Sequence, residues 1–161
     1  MRGNFGEVVE ALRRSTVQVR AHRNGSGSGV IWSQDGQIVT NAHVVEGTRG
    51  SGNVEVEIWD GSRAPGRIVK ADRRRDVAVL QVEASGLPAA ACGDSNTWRV
   101  GELVIAVGNP FGFSGATSAG VVHNLNSGLR IAGSLANCGS HLETPVGPWG
   151  TPVARWWESI R

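Results

Sequence analysis

The 161-residue chain reads as an all-β protein built on a small antiparallel β-barrel. Two observations carry that reading. Glycine accounts for 23 residues, an excess that favours turns and short strands over helices. Short stretches of alternating apolar and polar residues, separated by turn signals, recur through residues 1–85, and about six strands spaced in this way suit a closed barrel. The length suits one domain of ordinary size. With 40% hydrophobic and 19% charged residues, a folded core is expected and wholesale disorder is excluded.

The elements follow in order. Residues 5–14, Phe-Gly-Glu-Val-Val-Glu-Ala-Leu-Arg-Arg, predict a short helix with Val8, Val9 and Leu12 on one face. Thr16-Val-Gln-Val-Arg-Ala alternates with period two and predicts a strand. The run from Gly25 to Gly29 reads as a flexible turn. Val30-Ile-Trp is a strand, Gln34-Asp-Gly a hairpin turn, and Gln37-Ile-Val-Thr the returning partner. Val54-Glu-Val-Glu-Ile-Trp alternates cleanly before the Asp60-Gly turn. Residues 63–69 and 77–82 predict two more strands, which fill a first barrel over about residues 8–85.

Residues 85–91 form a connector. Leu103-Val-Ile-Ala-Val is a fully apolar strand turned by Gly108-Asn-Pro-Phe-Gly, and residues 116–122 offer one further strand. These begin a second barrel over about residues 95–122 and leave it partial. Residues 123–161 hold scattered Gly and Pro with Trp149, Trp156 and Trp157 near the end, and read as an irregular tail.

The formal net charge is +2. Arg63, Arg67, Lys70, Arg73, Arg74 and Arg75 form a basic cluster with no interleaved aromatic residues, which reads as a solvated surface rather than a nucleic-acid site. Cys92 and Cys138 are the only cysteines, and one disulfide or two thiols fit equally. Neither lies in a CxxC pattern and no cluster has metal-ligand spacing, so no metal or cofactor is expected. Residues 1–14 carry scattered charges and no apolar run. They predict neither a signal peptide nor a membrane anchor, which as written implies a cytoplasmic chain.

Two side chains stand out chemically. His43 follows Thr40-Asn-Ala at a strand end, where an imidazole with small neighbours can face a cleft and take a proton at neutral pH. The plain alternative is a structural histidine. Asp76 adjoins the apolar strand Val-Ala-Val-Leu, where a carboxylate could fix the tautomer of that imidazole and stabilise the imidazolium. The alternative is a strand-capping or Arg-paired carboxylate, and Asp72 competes for the same role.

These residues lie in motifs that resemble the HtrA/Deg branch of the trypsin-like serine endopeptidases. Gly-Ser-Gly-Ser-Gly-Val, Asp35-Gly, Thr-Asn-Ala-His43-Val-Val, Asp76-Val-Ala-Val-Leu, and Gly101-Glu through Gly108-Asn-Pro-Phe-Gly occur in the family's order, over roughly residues 8–122. The resemblance implies two β-barrels, His43 as general base, Asp76 as its orienting partner, and unfolded or peptide substrates. It also implies an extracytoplasmic setting, a frequent PDZ domain and a trimeric homo-oligomer.

The nucleophile of the family pattern, in Gly-Asn-Ser-Gly-Gly-Pro-Leu, is missing. Ser127, Ser134, Ser140 and Ser159 lie in the right half of the chain, but none has the Gly-Gly-Pro setting that makes the turn and the oxyanion donors. The tail suggests a cause. Tryptophan has one codon, so Pro-Trp149-Gly-Thr-Pro-Val-Ala-Arg-Trp-Trp157 constrains its gene. Read from the third base of the Pro148 codon, the shifted frame can spell Leu-Gly-Asn-Ser-Gly-Gly-Pro-Leu-Val, with the first Gly and the Val forced by the tryptophan codons. Residues from somewhere after Val122 are therefore expected to be out of the family frame, against the alternative of coincidence in a Gly- and Pro-rich tail. Three functions follow from this sequence: an endopeptidase by descent whose chain is inactive, a non-catalytic chaperone-like or peptide-binding module, and a β-domain with an incidental His and Asp.

Overall fold

A computed structural model describes residues 5–21, 25–46, 48, 52–94, 97–109, 115–124 and 141–143. The elements are α1 (Phe5–Arg14), β1 (Thr16–Ala21), β2 (Gly25–Ile31), β3 (Gln37–Thr40), α2 (Ala42–Val45), β4 (Asn53–Glu57), β5 (Arg63–Asp72), β6 (Val77–Val82), β7 (Leu103–Gly108), β8 (Ala116–Asn124) and β9 (His141–Glu143). Two compact units result: Met1–Ala91 with Val107–Ala116, and Cys92–Ala106 with Thr117–Arg161.

In the first unit six strands close an antiparallel barrel in the order β1-β2-β3-β6-β5-β4. Closure leaves no free sheet edge. Alternation sets its interior: Val17, Val19, Ile31, Ile38, Val54, Val56, Ala78, Leu80 and Val82 are buried together in one core, which Leu87 of the connector also joins. The hairpin between β2 and β3 turns through Gly36 at φ 89°, where a Cβ would strike the carbonyl oxygen of Val82.

The expected turn at residues 25–29 is in fact part of β2, paired along its length with β1. Glycine serves packing here, not turning. A Cβ on Gly29 would lie 2.8 Å from Ile38 Cγ2 and 2.9 Å from Val17 Cγ2, and one on Gly27 would lie 2.5 Å from Val44 Cγ2. Two inward-facing positions of β2 are thus bare backbone, and α2 packs against the outer one. The strand expected over residues 63–69 runs on to Asp72, past a register shift between Ile68 and Lys70 that leaves Val69 53% exposed.

The helix α1 has Glu7 in its first turn and Arg13 and Arg14 in its last, which complements the helix dipole. The Ser15 and Thr16 hydroxyls donate to the Leu12 carbonyl at its end. Its apolar face is not buried: Phe5, Val8 and Leu12 all remain exposed. The Arg14 guanidinium lies 5.2 Å from the centre of the Trp59 ring.

In the second unit the Gly101 N–H donates to the Val122 carbonyl and the Val122 N–H to the Glu102 carbonyl. The second sheet has the order β7-β8-β9. The tail is not wholly irregular, because β9 pairs with β8 through Val121, Val122 and Asn124. Ser127, Ser134, Ser140, Ser159 and Cys138 lie outside the described residues, while Cys92 is exposed. Among the described residues no helix is long and apolar enough to cross a membrane.

Candidate active site

His43 lies on α2, a four-residue helix directly after β3, and not on the strand end itself. Two features place it there. Asn41 has extended backbone at φ −75° and ψ 145°, which ends the strand and starts the helical turn. The bare face of β2 at Gly27 leaves room for Val44, so the turn seats against the barrel wall.

Asp76 closes the turn between β5 and β6 with φ 55°, the single non-glycine residue in the left-handed region among those described. Aspartate tolerates that conformation better than most residues. The rest of the turn is held by Asp72, whose Oδ1 accepts the N–H groups of Arg74 at 2.9 Å and Arg75 at 3.1 Å. Asp72, the competitor for the orienting role, is thereby a turn-forming residue.

The two candidates meet. His43 Nδ1 lies 2.8 Å from Asp76 Oδ2 and 3.0 Å from Oδ1. The His43 backbone N–H also donates to Asp76 Oδ1 at 3.0 Å. Asn41 Nδ2 donates to the Asp76 carbonyl at 3.1 Å and to Oδ2 at 3.2 Å. The partners of Asp76 are therefore His43 and Asn41, while Arg73 pairs with Glu46 at 3.2 Å. The imidazole and carboxylate side chains are 56% and 38% exposed, so the pair is open to solvent and to an incoming group.

The chemistry follows from the ring. With Nδ1–H donating to the carboxylate, the neutral imidazole keeps its lone pair on Nε2, the nitrogen able to accept a proton. An ionised Asp76 would stabilise the imidazolium formed when it does. Asn41 stands in the Thr-Asn-Ala-His motif, but its role could not be read from the sequence, because an asparagine before a helical turn ordinarily serves as its cap. Among the described residues no group of three or more His, Cys, Asp and Glu side chains is placed to hold a metal ion.

Beside the pair, the Thr40 hydroxyl donates to the Ser28 carbonyl at 2.9 Å, and Ser28 Oγ accepts the Asn109 N–H at 2.7 Å. Asn109 Oδ1 in turn accepts the Gly115 N–H at 2.6 Å. Ser28 of β2 so ties Asn109 to the barrel, and Asn109 in turn holds Gly115.

A closed antiparallel barrel whose α2 and β5–β6 turn bring His43 and Asp76 together fits a trypsin-like barrel. The comparisons agree with the geometry. The model of the trypsin-like peptidase domain matches residues 27–153, continuing past Val122, where the motif resemblance ends. Proteins named "Probable periplasmic serine endoprotease DegP-like" are similar to the chain. That of Halomonas elongata is 43% identical over 107 residues, which is 66% of this chain and 22% of the relative. That of Ectopseudomonas mendocina is 44% identical over 118 residues, 73% of this chain and 24% of the relative. The chain belongs to the trypsin-like peptidase family, in its HtrA/Deg-like branch. It spans about a quarter or less of the length of these relatives.

Proposed function

We propose that His43 and Asp76 are the general base and its orienting partner in a Ser-His-Asp endopeptidase site, and that this chain as translated is catalytically silent. The observation that carries the first half is the seating of both Asp76 oxygens against His43 Nδ1 at 2.8 and 3.0 Å. In such a site Nε2 takes the proton from a serine hydroxyl as its oxygen attacks the scissile carbonyl. It then returns the proton to the leaving amine. The substrates are unfolded or peptide chains, as the motif resemblance implies, and the relatives are named endoproteases.

The second half rests on the sequence. No Gly-Asn-Ser-Gly-Gly run is present, so both the nucleophile and the N–H groups that would hold the oxyanion are missing from this reading of the gene. The shifted frame over codons 148–157 can supply the whole run, with its first Gly and its Val forced by the tryptophan codons. The nucleotide sequence there tests the idea: Leu-Gly-Asn-Ser-Gly-Gly-Pro-Leu-Val in the shifted frame supports it, and any other string ends it. Purified chain should leave unfolded casein intact over hours; cleavage that His43→Ala removes would show that another serine serves.

A second reading, a chaperone-like or peptide-binding module, is favoured by one feature: the barrel closes within residues 16–82 and needs nothing from the nucleophile loop. Retention of casein without cleavage would select it.

A further inference from the structure

Asn41 holds the N-cap position of α2. Asparagine there normally turns its side-chain oxygen back onto the N–H of the second or third helical residue. Asn41 makes no such bond. The N–H it would take, that of His43, is accepted instead by Asp76 Oδ1 at 3.0 Å. Asp76 thus caps the helical turn from another segment of the chain, and the Asn41 side chain is released for a different partner.

That partner is Asp76 itself. The Asn41 amide faces the Asp76 carbonyl oxygen at 3.1 Å and Oδ2 at 3.2 Å. Neither oxygen has a proton to give when the carboxylate is ionised, so the amide must present its NH2 end, with one hydrogen for each oxygen. Oδ2 is also the oxygen nearer to His43 Nδ1, at 2.8 Å.

We propose that Asn41 is a positioning residue for the His43–Asp76 pair: its amide fixes the backbone and carboxylate of Asp76 so that His43 is held as the Nδ1–H tautomer. This rests on the reading of His43 as a general base. Three donors grip the carboxylate, namely the Asn41 amide, the His43 backbone N–H and the His43 ring. Only the first two are independent of the ring's own tautomer. The Asp76 side chain is 38% exposed, so water competes for each oxygen. Without the amide, Oδ2 can rotate away to solvent, and the ring loses the acceptor that selects its tautomer.

The test is the 15N spectrum of the histidine rings in the full chain, recorded where the imidazoles are neutral, with His43 assigned from His43→Gln. Two variants separate positioning from capping. Asn41→Ala removes both cap and amide. Asn41→Ser keeps a good N-cap residue but is too short to reach Asp76. Positioning predicts Nδ1–H in the parent and a roughly three- to tenfold fall in the Nδ1–H to Nε2–H ratio in both variants. A merely structural role predicts an unchanged ratio in Asn41→Ser, or unfolding of both variants, and either result overturns the proposal. If the parent itself lacks Nδ1–H, the base reading of His43 fails as well, so the two failures are distinguishable.

Discussion

Asp76 combines a left-handed backbone with every bond of the candidate pair, so substitutions there separate strain from polar contacts. Asp76→Ala removes the acceptor of the His43 N–H, a cap worth about 1 kcal/mol. It also strips the Asn41 amide of its carboxylate partner, about 0.5–1 kcal/mol at a half-exposed position. At φ 55° alanine costs about 1 kcal/mol more than glycine and lacks the local side-chain bonds that let aspartate tolerate that region. Asp76→Ala should therefore destabilise by about 2–3 kcal/mol and Asp76→Gly by about 1–2, since glycine makes the same polar losses without the backbone penalty. Asp76→Asn keeps an oxygen for the His43 N–H and suits the left-handed region, but sets its NH2 against the Asn41 amide; about 1 kcal/mol is expected. Urea unfolding at one pH measures all three. If Asp76→Gly proves as unstable as Asp76→Ala, the backbone argument is wrong. If none differs from the parent, the bonds around Asp76 contribute nothing to folding.

Three other outcomes are expected. Gly27→Ala places a Cβ 2.5 Å from Val44 Cγ2, so it should cost about 1–3 kcal/mol and shift the amide resonances of residues 42–45 more than those of β6; a silent substitution would show that α2 does not depend on the bare strand. Leu80→Ala empties a fully buried position of the barrel core and should cost about 2–5 kcal/mol in the same urea assay; less than 1 would place Leu80 outside the core. Glu102 is held below the usual glutamate range, first by the Arg99 backbone N–H and then by the Arg99 side chain. Because the folded value is depressed, this interaction is complete above the ordinary glutamate value and is lost as pH falls through the lowered one. The Arg99 amide resonance should titrate in that acid window and stop doing so in Glu102→Gln; titration that persists would assign it to another group.

The sequence made most of the barrel legible because burial on one face imposes a period of two. β1 and β4 show it in sequence, Val alternating with polar residues, while the short apolar runs of β3 and β6 were legible as buried strands and β6 alternates only in its burial. Only the end of β2 was legible, as Val30-Ile-Trp; residues 25–29 escaped because the inward positions Gly27 and Gly29 carry no side chain, so the period exists in space and not in hydrophobicity. α2 escaped because four residues are too few to show helical periodicity. The end of β5 escaped because the shift after Ile68 breaks the alternation. His43 and Asp76 were legible as motif residues, and their meeting follows from β3 pairing with β6, Thr40 opposite Ala78. That register sets the segments after β3 and before β6 side by side. Asn41 was not legible, since its function depends on Asp76 capping α2 in its place, a relation between residues 35 positions apart.

We propose a barrel that carries the base half of a serine-protease site in a chain without the Gly-Asn-Ser-Gly-Gly run of the nucleophile half. Fluorophosphonate labelling of two chains tests this most directly: the chain as it stands, and one whose gene is moved into the shifted frame after Val122 so that the tail reads through Gly-Asn-Ser-Gly-Gly-Pro-Leu-Val. The account predicts no labelling of the first and labelling of the second that His43→Ala abolishes. Labelling of the first chain, or labelling of the second that ignores His43, would contradict it.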